Sequence, residues 1–122
     1  MPLVTTRVQK GIYANEWVDN VTIEEVLNAT PKLIQLAEED QVNKFVVILD
    51  TSKAKRLPID LANLRRSIPE GVHEIIICGI PSLGTLILRM FKPMSTVPLS
   101  VFDTYDEAIA HAKTIMKAVN AT

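Results

Sequence analysis

The sequence predicts an α/β domain, a mixed central sheet covered by helices, and three observations carry that prediction. Lys44-Phe-Val-Val-Ile-Leu-Asp50-Thr51-Ser52 holds a continuous apolar run, residues 45–49, that ends in an acid and two hydroxyls. Glu74-Ile-Ile-Ile-Cys78 is a second run of the same kind. Apolar runs without polar alternation suit strands buried on both faces, which points to a parallel or mixed sheet. Around these runs lie segments whose apolar residues recur at offsets of three and four, the spacing of one helical face.

The elements follow in order. Leu3 to Lys10 alternates in part, and Ile12 to Val18 follows Gly11, so two short strands form a hairpin or meander. Thr22-Ile-Glu-Glu25 has the spacing of a capping box, in which hydroxyl and carboxylate satisfy each other's free amides. The helix it opens meets Pro31, which predicts either a kink or a fresh start with Thr30 as N-cap. Leu33, Ile34, Leu36 and Ala37 give that helix an apolar face. After the strand at Phe45–Leu49 comes a basic loop, Lys53-Ala-Lys55-Arg56. Leu57, Leu61, Leu64 and Ile68 predict a short amphipathic helix that Pro69-Glu-Gly71 ends. Past the second apolar run, Leu83, Leu86, Ile87, Met90, Phe91 and Met94 predict a helix from Ser82 to Phe91. Pro98-Leu-Ser-Val-Phe102 is a short last strand. Thr104-Tyr-Asp-Glu107 is another capping box, opening a helix with Ala108, Ile109, Ala112, Ile115, Met116 and Val119 on one face. The predicted order is β-β-α-β-α-β-α-β-α, with parallel neighbours among the later strands.

Composition bounds the function. The 122 residues suit one domain, with no repeat and no linker. Apolar residues at 48% and charged residues at 22% match an ordinary soluble protein. A net charge of −1 offers nothing for nucleic acid to bind, since its partners concentrate positive charge. The lone Cys78 excludes an internal disulfide and fits a reducing, cytoplasmic setting. No signal peptide and no transmembrane segment is expected, because Arg89 and Lys92 interrupt the apolar stretch 83–91.

Read in this order, the elements resemble the STAS domain, and more closely its SpoIIAA-like branch. The likeness rests on Asp19-Asn-Val-Thr22-Ile-Glu-Glu25 at the first helix, Phe45-Val-Val-Ile-Leu-Asp50 on the central strand, and Val97-Pro-Leu-Ser-Val-Phe102-Asp103 with Glu107-Ala108 before the last helix. It covers nearly the whole chain. The resemblance implies a small regulatory or binding module, with lipid- or nucleotide-associated members. It also implies a Ser or Thr after the central strand that takes a phosphate at a helix N-terminus, within Asp-Ser-Ser/Thr-Gly. Here Asp50-Thr51-Ser52 runs into Lys53-Ala54-Lys55 without that glycine, a departure from the phosphorylated pattern.

Ligands of α/β folds sit beyond the carboxyl ends of the strands, which marks two junctions. At the first, Asp50, Thr51 and Ser52 suit an anion or other ligand, with Lys53, Lys55 and Arg56 supplying charge. The same residues also suit a turn whose side chains bond nearby amides. At the second, Gly79-Ile-Pro81-Ser82-Leu-Gly84-Thr85 makes Ser82 either an anion contact or a plain N-cap, and the spacing is not that of a Walker loop. Leu88 lies off the apolar stripe and suits a lipid pocket, a partner or a homodimer contact. Tyr13, Asn15 and Trp17 share one face of the second strand, open to a flat apolar ligand or buried under a helix. His111 falls on the polar side of the last helix, and no Cys, His or acid cluster has metal-ligand spacing. Cys78 reads as a small apolar filler.

The leading expectation is a non-enzymatic, cofactor-free module binding a partner protein or a small apolar or anionic ligand. One alternative is lipid or membrane-surface binding through Arg89 and Lys92. Another is a phosphoacceptor using Asp50 or Ser52. An apolar strand ending in Asp50 resembles a response-regulator receiver, as does Lys92-Pro93. Yet the first strand lacks an acidic pair, Lys92-Pro93 precedes the last strand, and Ser52 stands where a dehalogenase-type site needs an acid.

Overall fold

The computed structural model describes residues 3–56, 58, 60–80 and 89–120. The expectations placed on Leu57, Ser82, Gly84, Thr85 and Leu88 fall outside them; residues 89–91 are helical. Strands β1 (Leu3–Gln9) and β2 (Ile12–Asn20) form the hairpin, followed by α1 (Ile23–Glu39) and β3 (Phe45–Arg56). Then come α2 (Leu61–Arg66), β4 (Val72–Cys78), β5 (Leu99–Phe102) and the C-terminal helix α3 (Tyr105–Asn120). The five strands pair in sequence order, β1 antiparallel to β2 and every later neighbour parallel. The mixed central sheet expected from the apolar runs is present.

Local chemistry explains the boundaries. Gly11 turns the hairpin at φ 84°, and a Cβ there would lie 2.6 Å from Met116 Cε. The first capping box is complete: Thr22 N donates to Glu25 Oε1 at 3.1 Å, and Glu25 N donates to Thr22 Oγ1 at 3.3 Å. At the second, Glu107 N donates to Thr104 Oγ1 at 3.2 Å, and the Thr104 hydroxyl donates to Glu107 Oε1 at 3.0 Å. Between them α1 runs unbroken through Pro31, so no fresh start occurs at Thr30. The Thr30 hydroxyl instead donates to the Ser67 carbonyl at 2.8 Å, tying α1 to the end of α2. Pro31 is tolerated because it faces solvent, where water can serve the carbonyl its ring leaves unbonded.

Alternation along the strands divides the core between two faces. Ile12, Ala14, Val46, Ile48, Ile76 and Cys78 pack under Ala108, Ala112 and Met116 of α3. Tyr13, Val47, Ile75, Ile77 and Leu99 pack under Leu33 and Ala37 of α1, with Phe91 on the same side. Two apolar residues placed on buried faces by periodicity are instead exposed, Ile34 at 41% and Met90 at 59%.

Candidate functional site

The apolar run at 45–49 is only the first part of β3, which continues to Arg56. Asp50, Thr51, Ser52 and the basic segment therefore lie within a strand, a correction to the loop expected there. Register explains how. Asp50 is the last β3 residue opposite β4, facing Cys78, and beyond it β3 pairs with β2 alone. Gly79 turns β4 away at φ 66°, and a Cβ there would stand 2.9 Å from Ser52 Cα. The pairs Glu16↔Asp50 and Val18↔Lys53 enclose one extra residue in β3, a bulge at the polar triplet.

This geometry separates residues that adjoin in sequence. Thr51 is 2% exposed, and its Oγ1 donates to the Cys78 carbonyl at 3.0 Å. It lines the α1–α2 side of the sheet, whereas Asp50 lies opposite Cys78 on the α3 side. Ser52 donates to Asp50 Oδ1 twice, from its backbone N at 3.1 Å and its Oγ at 2.7 Å. Lys53 pairs with Glu16 at 3.3 Å and Lys55 with Asp19 at 3.7 Å, so neighbouring carboxylates answer both cations. An incoming anion would compete with those acids. Burial, then the Asp50 charge and hydrogen bond, push the Cys78 thiol up to about 12, leaving it protonated and unreactive at neutral pH. Burial also raises the Tyr105 phenol, with Asp50 adding to the effect.

The other face of the sheet holds an apolar cavity of about 100 Å³. Its wall includes Trp17 from β2, Leu33 from α1, Leu64 from α2, Ile77 from β4 and Leu99 from β5. The polar side chains in it are Asn15, Thr30, Thr51 and Ser67, and no charged side chain lines it among the described residues. Asn15 Oδ1 accepts from Thr5 Oγ1 at 2.7 Å. Three hydroxyls spend their protons on backbone carbonyls, Thr30 on Ser67, Thr51 on Cys78 and Ser67 on Leu64. Trp17 is 5% exposed, and its Nε1 has no hydrogen-bond partner among the described residues. A buried donor left unmade costs about 1–3 kcal/mol. The even spacing of Tyr13, Asn15 and Trp17 signalled this face in the sequence; burial under α1 is its outcome, with a void retained.

Tyr13 closes the far end of that face. Its hydroxyl lies 2.7 Å from Asp40 Oδ2 and 3.2 Å from the Leu36 carbonyl. Burial and the Asp40 bond push its phenol up to about 12, while Tyr13 and then Arg7 hold the Asp40 carboxyl below its usual range. On the α3 side, His111 of the last helix makes a polar contact with the sheet. Its Nε2 lies 2.8 Å from Glu74 Oε2, which also accepts from Ser100 Oγ, and its ring rests against Phe102. Among the described residues no group of three His, Cys, Asp or Glu side chains could hold a metal ion. No described helix is long and apolar enough to cross a membrane.

No protein-family model and no curated protein matches the sequence. Solved structures do match the coordinates. An uncharacterised protein of the DUF3478 family from Shewanella loihica, with a SpoIIAA-like fold, superposes with a TM-score of 0.63 at 16% identity, over 90% of this chain and 91% of that one. The chain has the STAS/SpoIIAA-like fold. The anti-sigma factor antagonist SpoIIAA in its unphosphorylated form gives a TM-score of 0.58 at 12% identity, covering 91% of this chain and 97% of that one. The phosphorylated form of the Bacillus cell fate determinant SpoIIAA gives 0.55 at 11%, covering 89% and 97%. The sequence likeness implied a Ser or Thr at a helix N-terminus after the central strand. Ser52 lies inside β3, and the following helix begins only at Leu61, capped by Asp60.

Proposed function

We propose that this SpoIIAA-like chain is a single-domain, non-enzymatic regulatory module of the cytoplasm that holds a small apolar ligand between its sheet and α1–α2. The cavity carries this reading: it is walled by both layers and free of charged side chains among the described residues. Pockets of this kind favour apolar ligands with few polar anchors. Likeness to an anti-sigma factor antagonist supports a partner protein as the second half of the function. The rim of Asp50, Ser52, Lys53 and Lys55 is the surface offered to that partner, its charges paired but accessible. A homodimer through a sheet edge belongs to the same proposal, since edge residues Val4 and Val101 are 47% and 44% exposed.

Native mass spectrometry of protein taken from its own cell tests ligand and stoichiometry together, and a retained apolar molecule is the expected result. Asp50→Asn, Ser52→Ala and Lys55→Ala should stay folded and lose binding at most. Turnover of any substrate that disappears in Asp50→Asn would falsify the non-enzymatic reading.

A second reading rests on Met90, exposed between exposed Arg89 and Lys92. An apolar side chain flanked by cations suits an anionic membrane surface, where each cation contributes about 1 kcal/mol. Cosedimentation with anionic liposomes, lost in Arg89→Glu, is the expected outcome; wild type left in the supernatant eliminates it.

A further inference from the structure

We infer that β1 is the dimer edge, pairing antiparallel with β1 of a second copy about a two-fold axis at Thr5. The inference rests on the homodimer reading and adds the edge, the direction and the register. Gly11 O accepts from Val46 N at 2.9 Å, so Gly11, Tyr13 and Asn15 aim their main-chain groups at β3. Ala14 and Glu16 aim theirs at β1, which makes their partners Thr6 and Val4 the bonded residues of that strand. The N–H and C=O groups of Leu3, Thr5 and Arg7 therefore point outward, and none of them bonds to a described residue.

Native proteins guard open edges with proline, with charge or with a bulge. Residues 3–7 contain no proline, and their one charge, Arg7, is held by Glu39 at 2.9 Å and Asp40 at 3.1 Å. The register shift between Arg7 and Gln9 ends this regular span without interrupting it. The opposite edge is shorter: β5 turns only Leu99 and Val101 outward, since Pro98 O and Phe102 O accept from β4 and Gly79. The open groups at 3, 5 and 7 are symmetric about Thr5, so the strand complements a second copy running the other way. Leu3 then bonds Arg7 of the second copy, Thr5 bonds Thr5, and Val4, 47% exposed, lies opposite Thr6. Charge selects this register. An axis at Arg7 would set two guanidinium groups directly opposite each other, which is destabilising. With the axis at Thr5, each Arg7 keeps its own acids at one end of the pairing, and no unpaired charge meets another. Residues 3–7 fall short of the roughly 20–30 residues a side of a stable interface, so this dimer exchanges with monomer.

Sedimentation velocity up to millimolar protein should show dimer growing with concentration. Thr5→Pro removes an N–H that bonds nothing within one copy, and should weaken the dimer about tenfold or more. Thr5→Val keeps that N–H while losing the hydroxyl on Asn15, and should dimerise as the wild type does. Val101→Pro, on the β5 edge, should leave the dimer unchanged. Hydrogen exchange needs no variant: the Thr5 and Arg7 amides should gain protection as concentration rises, with Val4 and Thr6 protected throughout. For the register, Val4→Cys mixed with Thr6→Cys should form a mixed disulfide in preference to either variant alone, since opposed residues meet its geometry. Cys78 is buried and stays out of that reaction. A disulfide formed as readily by one variant alone overturns the axis at Thr5. A dimer lost in Thr5→Val overturns the main-chain pairing. A dimer lost in Val101→Pro and kept in Thr5→Pro overturns the choice of edge and leaves the homodimer reading standing. Monomer at every concentration overturns both.

Discussion

Gly79 sets the shape of the polar rim. Its φ of 66° and its closeness to Ser52 mean that a methyl group at this position meets both backbone strain and the β3 main chain. Gly79→Ala should therefore lower stability by about 1–3 kcal/mol, read from a urea midpoint, and an unchanged midpoint would contradict the close approach. Its neighbour Cys78 is fully buried and holds its proton to about 12. Iodoacetamide at neutral pH should leave the folded protein unmodified and label the urea-unfolded chain completely. Rapid labelling of the native state would mean that the α3 layer opens. The sequence marked Asp50, Thr51 and Ser52 as an unusual polar cluster but could not show their separation. Adjacent strand residues point to opposite faces, and that rule applies only once the triplet is known to be strand.

At the scale of elements, both capping boxes were legible because the Thr and Glu partners lie three residues apart, a wholly local pattern. The length of β3 was not. Lys53, Lys55 and Arg56 look like loop residues, yet past Asp50 the strand has a neighbour on one side only, so its charged side chains reach water and the acids of β2. A bulge then restores Ala54 to the core beside Trp17, Val21 and Val26. No periodicity counts across such an insertion. Pro31 posed the reverse problem, a local breaker overruled by burial of Val26, Ala29, Leu33 and Ala37 along one helix. Pro31→Ala returns an N–H to the ladder at an exposed position and should raise stability, by at most about 3 kcal/mol. Thermal melting checks this, and a lowered midpoint would show that the proline is needed where it stands.

For the whole molecule, the two-faced core links stability to pH through groups in both layers. Tyr13 and Cys78 both hold their protons more tightly folded than unfolded, raised to about 12 from ordinary values of 10.0 and 9.0. The unfolded chain releases those protons first, so this stabilisation is complete below about pH 9 and drains away as pH climbs toward 12. Asp40 acts with the opposite sign. Its lowered carboxyl contributes above the usual carboxylate range, and that contribution disappears as pH falls through the folded value. Urea midpoints measured from neutral into alkali should decline across the window, less steeply in Tyr13→Phe; a level profile would refute the linkage. The α/β class was legible because each apolar run had to be covered on two sides. The void beside Trp17 was not, since it arises from how α1 and α2 settle on the sheet rather than from any one segment.

The strictly consecutive strand order, β1 to β5, has a consequence for synthesis. As the nascent polypeptide leaves the ribosome, every new strand finds its docking edge already built by the one before it. No finished pairing has to be prised apart to admit a latecomer, so assembly can keep pace with translation. Chains stalled after α2 are expected to show β2–β3 amides already shielded from solvent exchange, with the open flank of β3 waiting for β4.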